Sequence, residues 1–85
     1  MEDDLFDFKI SSKEDFGKFT KMLHADFLKN GNDWENNTLE SFLEAMSAYC
    51  GDTQAVYKNN NENKNADLPS WETFADILRS SIIYE

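Results

Sequence analysis

The sequence predicts a mainly α-helical domain, a compact bundle of three main helices with an Asn-rich loop before the last helix. Apolar residues recur at steps of three and four in three separate stretches, and a residue type that caps helices opens each stretch. The 85 residues are too few for more than one domain, predicted over 1–85. Seven Phe, three Tyr and two Trp make an apolar core feasible without disulfide or metal.

The first helix is predicted over residues 12–29, after a lead-in over 1–10. Ser11 and Ser12 each stand three residues before an acid, so either serine can form a capping box. Asn30-Gly31-Asn32 is expected to end the helix. The predicted apolar stripe consists of Phe16, Phe19, Met22, Leu23 and Phe27.

The second helix is predicted over residues 38–50, with Asn37 or Thr38 as its cap. Gly51 is expected to end it, because glycine takes a positive φ at little cost. A short helical turn can follow over residues 52–57. The predicted apolar face consists of Leu39, Phe42, Leu43, Met46, Tyr49 and Cys50.

The third helix is predicted over residues 70–83. Leu68-Pro69 favours an extended lead-in, Ser70 is the expected cap, and Trp71 opens the helix. Residues 58–67 before it are rich in Asn, which competes with helix by bonding its own backbone, so a flexible loop is predicted. The apolar stripe is expected to comprise Trp71, Phe74, Ala75, Leu78 and Ile82, with Ile77 beside it.

The termini suggest an alternative α+β fold. Residues 5–10 alternate weakly between apolar and polar, and Ile82-Ile83-Tyr84 is rich in residues that favour strands, so the two segments can pair as a small two-stranded ribbon. An isolated ribbon is marginal in water, which ranks this fold below the helical one.

Charge indicates the type of partner. The net charge is −9, and residues 31–57 contain five acids and no Lys or Arg. Nucleic acids and anionic membranes are therefore disfavoured, and a basic protein is the expected partner. The alternative is that the acids serve solubility alone.

The candidate partner-binding residues are Asp33, Trp34, Glu35, Glu40 and Glu44. Trp34 is expected in a loop between two acids, and an aromatic ring surrounded by acids is a reasonable protein-binding patch. Glu40 and Glu44 share a helix face because they lie four residues apart. Trp71 is instead expected in the core, since it lies on its apolar stripe.

Catalytic and metal chemistry are not predicted. His24 is the only histidine and Cys50 the only cysteine, and each is expected at or near an apolar helix face, Cys50 as a small buried hydrophobe. No catalytic residue, metal ligand or cofactor is assigned. The alternative functions are a small-ligand binder or enzyme with a pocket near Cys50 and His24, and a subunit of a homo-oligomer.

Localisation follows from composition. No window approaches the 18 apolar residues typical of a transmembrane helix, and the N-terminus is acidic where a signal peptide is basic. A lone cysteine suits a reducing compartment. The expected location is the cytoplasm.

Two blocks carry a resemblance to a known family. Residues 33–46 contain W-E-N-x-T-L-x-x-x-L-E-A, and residues 69–85 contain P-S-W-x-x-x-A-x-I-L followed by Y-E. With residues 16–28, these motifs resemble a family of small bacterial proteins of unknown function. The resemblance covers nearly the whole chain. It implies a free-standing bacterial domain and supplies no catalytic residue.

Overall fold

The computed structural model describes residues 5–84; the first four residues of the predicted lead-in and Glu85 of the closing motif lie outside them. Three helices follow one another: α1 at Lys13–Asn30, α2 at Leu39–Asn59 and α3 at Trp71–Ser81, with a single 3-10 turn at Gly31–Asp33. No strand occurs within residues 5–84. The mainly α-helical prediction is confirmed, and the terminal ribbon is absent from these residues.

The helix starts follow the predicted capping chemistry. The Ser12 side chain accepts a hydrogen bond from the Asp15 N–H, and Ser11 donates from its N–H and its hydroxyl to the Asp15 carboxylate. These donations lower the pKa of Asp15, because they stabilise its charged form. Thr38, rather than Asn37, caps α2 and forms a reciprocal capping box with Ser41.

The predicted end of α2 at residue 50 is wrong. The helix continues through Gly51 to Asn59, and Asn61 takes the positive φ of 58° that was expected of Gly51. A glycine inside a helix costs about 0.5–1 kcal/mol relative to alanine. Burial of Thr53 and Tyr57 in the extra turns offsets this cost, since both side chains are withdrawn from solvent.

Helix α3 lies between the other two helices. It packs against α1 and against α2, whereas α1 and α2 do not pack directly against each other. One buried cluster joins the N-terminal segment, α1 and α3 through Leu5, Ile10, Phe19, Ala75 and Ile82. The core therefore centres on α3.

Several predicted core residues are exposed. Leu39 and Leu43 of α2 are 75% and 51% exposed, and Cys50 is also exposed. The buried face of α2 instead consists of Ala45, Tyr49, Thr53 and Tyr57. The extension of α2 explains this difference, because Thr53 and Tyr57 continue the face of Ala45 and Tyr49 and turn the leucines toward its edge.

Trp71 also departs from its predicted place in the core. It is 38% exposed and packs on Phe16 and Phe74, with ring centroids 5.4 Å and 5.7 Å away. Its indole lies at the first turn of α3, where that helix meets the N-terminal end of α1. The ring covers the edge of the core rather than filling it.

The loop before α3 is fastened at two points. Lys58 and Asn59 of the predicted loop belong to α2. Gln54 accepts from the Ala66 N–H at 2.7 Å and donates to the Lys64 carbonyl at 3.1 Å. The Lys64 ammonium lies 3.1–3.2 Å from three carboxylates, those of Glu62, Glu72 and Asp76.

A polar cluster ties α2 to α3 beside this loop. The buried Tyr57 hydroxyl donates to Asp76 at 2.6 Å, and Arg79 donates to the carbonyls of Phe6 and Phe8 in the N-terminal segment. Burial raises the pKa of Tyr57, and its hydrogen bond to Asp76 raises that pKa further. These contacts hold the segments that flank the core.

Candidate protein-binding groove

An open groove of about 280 Å³ lies where the chain crosses from α1 to α2. Its lining is almost entirely apolar. Phe27 comes from the last turns of α1, Trp34 and residues 36–38 from the connection, and Leu39 and Phe42 from the first turn of α2. All of these residues except Phe27 belong to residues 31–57, the segment that contains no Lys or Arg.

Trp34 is held in a fixed orientation. Its indole Nε1–H donates to the Asp26 carboxylate at 2.8 Å, and its backbone N–H donates to the Gly31 carbonyl at 3.1 Å. The ring packs edge-on against Phe27 at 5.1 Å and stacks with Phe42 at 6.1 Å. Trp34 is consequently half-buried. Asp26 accepts its only side-chain hydrogen bond, and Phe27 and Phe42 pack against its ring.

Gly31 gives Phe27 the room it needs. A Cβ on Gly31 would lie 2.9 Å from Cδ1 of Phe27, closer than carbon atoms tolerate. The glycine is buried at the end of α1 and has an ordinary helical φ of −56°. Space for the Phe27 ring, rather than backbone freedom, is therefore what glycine provides here.

Asn36 anchors the connection to α3. Its N–H donates to the Ile82 carbonyl at 2.9 Å, and its side-chain Nδ2 donates to the carbonyls of Ser81 at 2.9 Å and Tyr84 at 2.8 Å. These three bonds satisfy carbonyls at the end of α3 that lack helical partners. They also fix one wall of the groove, since Asn36 lines it.

A second hollow, of about 310 Å³, lies on the other side of the start of α2. Asn36 and Tyr84 line it together with Ser41, Glu44 and Ala48 of α2. The Tyr84 hydroxyl donates to Asp52, and this hydrogen bond raises the pKa of Tyr84. The hollow is more polar than the groove.

The model of a family of unknown function, DUF7660, matches residues 12–85. The chain belongs to this family. The resemblance to a family of unknown function is thereby confirmed. No curated protein and no solved structure matches the chain.

Within this DUF7660 domain, the predicted site residues divide between the two sides of α2. Trp34 lines the groove. Its sequence neighbours Asp33 and Glu35 are exposed. Glu40 is exposed directly after Leu39. Glu44 lines the second hollow instead, so the structure does not place it in the groove.

Sequence reasoning missed three residues that build the groove. Phe27 and Leu39 were assigned to the core, yet both are exposed at the groove wall. No sequence pattern marks Asp26, because its role is to accept a hydrogen bond from Trp34, which approaches it only after the chain turns at the end of α1. The position of Phe27 at the very end of its stripe was the one available hint.

His24 and Cys50 of the DUF7660 domain are both exposed, and neither lines the groove or the second hollow. No group of three or more His, Cys, Asp or Glu among residues 5–84 could hold a metal ion. None of the helices in that range has the length and apolar character needed to cross a bilayer.

Proposed function

We propose that this domain is a non-enzymatic module that binds a basic protein partner through the groove. The observation that carries the proposal is the groove itself, an open apolar concavity at Trp34, two of whose lining residues have exposed acids next to them in the sequence. A concavity of this kind accepts an apolar side chain from a partner. An inhibitor or immunity-type role is one concrete version, and the single cysteine suits action in the cytoplasm.

The energetics favour binding at this place. Burying one large apolar side chain contributes about 1.5–3 kcal/mol. Trp34 is already held by Asp26 and by two aromatic neighbours, so it loses little conformational freedom when a partner docks. Leu39 lies 75% exposed at the rim and would gain from being covered.

The charges favour a basic partner. Asp33, Glu35 and Glu40 are exposed and directly adjoin Trp34 or Leu39 in the sequence, and the 27-residue run that contains them has no Lys or Arg. Opposite charge on a partner would speed its association and exclude acidic competitors. Another copy of this chain carries the same net charge of −9, which disfavours the homo-oligomer alternative.

The lining of the groove favours an apolar side chain over a metabolite. Small-molecule sites usually add a few convergent polar groups to an apolar lining, whereas the lining of this groove is almost entirely apolar. His24 and Cys50 lie outside it, so the ligand-binding or enzymatic alternative has no reactive group there.

The test is capture of a partner from host lysate with three baits. They are the natural protein, Glu35→Lys/Glu40→Lys, and the control Glu14→Lys/Asp67→Lys. Both double variants change the charge equally, and Glu14, like Glu40, lies in the first turn of its helix. The control residues are at the far end of α1 from the groove, where α3 begins.

We expect one basic protein to bind the natural protein and the control, and to be lost with Glu35→Lys/Glu40→Lys. Loss with both double variants would show that only net charge matters. Equal capture by all three baits, or capture of no basic protein, would contradict the proposal.

A further inference from the structure

Helix α2 carries more apolar surface than its neighbours cover. Leu39, Leu43, Met46 and Cys50 follow one another at steps of four, three and four, so they lie on one side of the helix. Leu39, Leu43 and Cys50 are exposed and Met46 is half-buried. We call these four residues the α2 stripe. It runs for about 16 Å, or three turns.

The α2 stripe lies beside the buried face of α2 and is largely exposed. Helix α3 covers the buried face of α2, and α1 does not pack directly against α2. The groove lies at one end of the stripe, because Leu39 belongs to both. The groove and the α2 stripe therefore form one continuous apolar surface.

We propose that the partner's binding element is an amphipathic α-helix with a basic polar face, which lies along the α2 stripe and places one apolar side chain in the groove. This inference rests on the proposed function and specifies the partner's structure. The stripe falls at i, i+4, i+7 and i+11, a one-sided row of apolar side chains against which a second helix can pack the i, i+3, i+4 and i+7 anchors that docked helices present. Strand addition has no counterpart here, since residues 5–84 offer no strand edge.

Charge complementarity selects a basic helix. Between Leu39 and Tyr57, α2 contains Glu40, Glu44 and Asp52 and no Lys or Arg. Glu40 is exposed and follows Leu39 at the groove end of the stripe, whereas Glu44 and Asp52 face the second hollow and Tyr84 on the other side of α2. A helix with Lys or Arg beside its apolar anchors would meet the Glu40 carboxylate as it docks, and no Lys or Arg of α2 before Lys58 would oppose it. An acidic helix would meet like charge there.

The test uses three synthetic peptides of about 14 residues, or four helical turns. The first has Leu at i, i+3, i+4 and i+7, Lys at the positions next to them and Ala at the rest, which favours the helical form. The second has the same composition, shuffled so that the leucines are spread around the helix. The third has the order of the first with Glu in place of Lys.

Cys50 supplies the readout, because it is the only thiol and stands at the far end of the α2 stripe from the groove. We would measure its rate of alkylation by iodoacetamide and map the contacts by amide chemical shifts. At a peptide concentration about four times Kd, full coverage slows alkylation about fivefold. We expect this slowing with the first peptide and not with the second or third.

Matched variants locate the effect. Leu39→Gln/Leu43→Gln should abolish the protection, whereas Leu68→Gln, at an exposed leucine before α3, should leave it intact. Gln has nearly the helix propensity of Leu, so the variants remain folded.

The outcomes separate this inference from the proposed function. Equal protection by the shuffled peptide would refute the helix and leave groove binding of a basic chain intact. Protection by the acidic peptide would refute the charge argument. If no peptide protects Cys50 or shifts the stripe amides at about 1 mM, the inference fails, while the capture experiment still decides the proposed function.

Discussion

Asn36 fastens the segment between α1 and α2 to the end of α3. Replacing it tests whether its side-chain hydrogen bonds stabilise this wall of the groove. Its Nδ2 donates to the carbonyls of Ser81 and Tyr84 at 2.9 Å and 2.8 Å. Both partners are carbonyl oxygens, which only accept hydrogen bonds. The Asn36 side chain must therefore present its NH₂ group to them, because its amide oxygen has no hydrogen to donate. Asn36→Asp keeps the shape of the side chain and replaces that nitrogen with an oxygen.

The magnitude follows from three losses. Each hydrogen bond contributes about 0.5–1.5 kcal/mol to stability. A carboxylate beside the last turn of α3 also opposes the helix dipole, at about 0.3–1 kcal/mol. The sum is about 1–4 kcal/mol for Asn36→Asp, and about 1–3 kcal/mol for Asn36→Ala, which loses the bonds alone. The neighbouring exposed Asn37 provides the control, and Asn37→Asp should stay within about 0.5 kcal/mol.

The assay is urea unfolding at neutral pH, followed by tryptophan fluorescence and by circular dichroism. In thermal unfolding of the same variants, a loss of about 2 kcal/mol lowers the melting temperature by about 8–16 °C in a domain of this size. We expect the order Asn37→Asp, Asn36→Ala, Asn36→Asp from most to least stable. Equal stabilities for the two Asp variants would refute the assigned role of Asn36.

Three further predictions concern the exposed stripe and the polar cluster. Leu43→Gln should change the free energy of unfolding by no more than about 0.5 kcal/mol in urea unfolding, whereas a loss of about 2 kcal/mol or more would place Leu43 in the core. Cys50 should react with a thiol reagent in the native protein without prior unfolding, measured by absorbance, and a reaction that requires unfolding would contradict its exposure. The pKa of Tyr57 is raised from 10.0, so the stability it contributes is complete below about pH 10 and is lost as pH rises through the folded-state pKa. Urea unfolding above about pH 10 should therefore show falling stability, with a shallower fall in Tyr57→Phe, and identical pH profiles for the two proteins would contradict this reasoning.

Helix starts could be predicted from the sequence because caps are local. Ser12 and Ser70 each accept from a backbone N–H three residues ahead, as their sequence context indicates. Thr38 was one of two candidates for α2, and its capping box is with Ser41 rather than through the Asn37–Glu40 pair.

Helix ends and buried faces depended on tertiary contacts. Gly51 looked like a terminator, but packing of Tyr57 and its hydrogen bond to Asp76 carry α2 further. The periodicity of Leu39 and Leu43 is real, yet it marks a face that the rest of the chain leaves uncovered. Periodicity predicts which side of a helix is apolar, but not which other part of the protein, if any, covers that side.

The candidate site was predictable in part. Trp34 could be singled out because acids flank it in the sequence, and it does line the groove. Its partner Asp26, the ring of Phe27 and the space at Gly31 all depend on how the chain turns after α1. Glu44 shares a helix face with Glu40 by spacing, but it lines the hollow on the other side of α2.

Photo-crosslinking in host cells tests whether a partner docks at the groove. A photoreactive phenylalanine analogue would replace Leu39 in one protein and Leu68 in another, since both leucines are exposed and only Leu39 lines the groove. We expect a defined adduct with one basic protein from position 39 and none from position 68. An equal adduct from both positions, or an adduct from position 68 alone, would contradict docking at the groove.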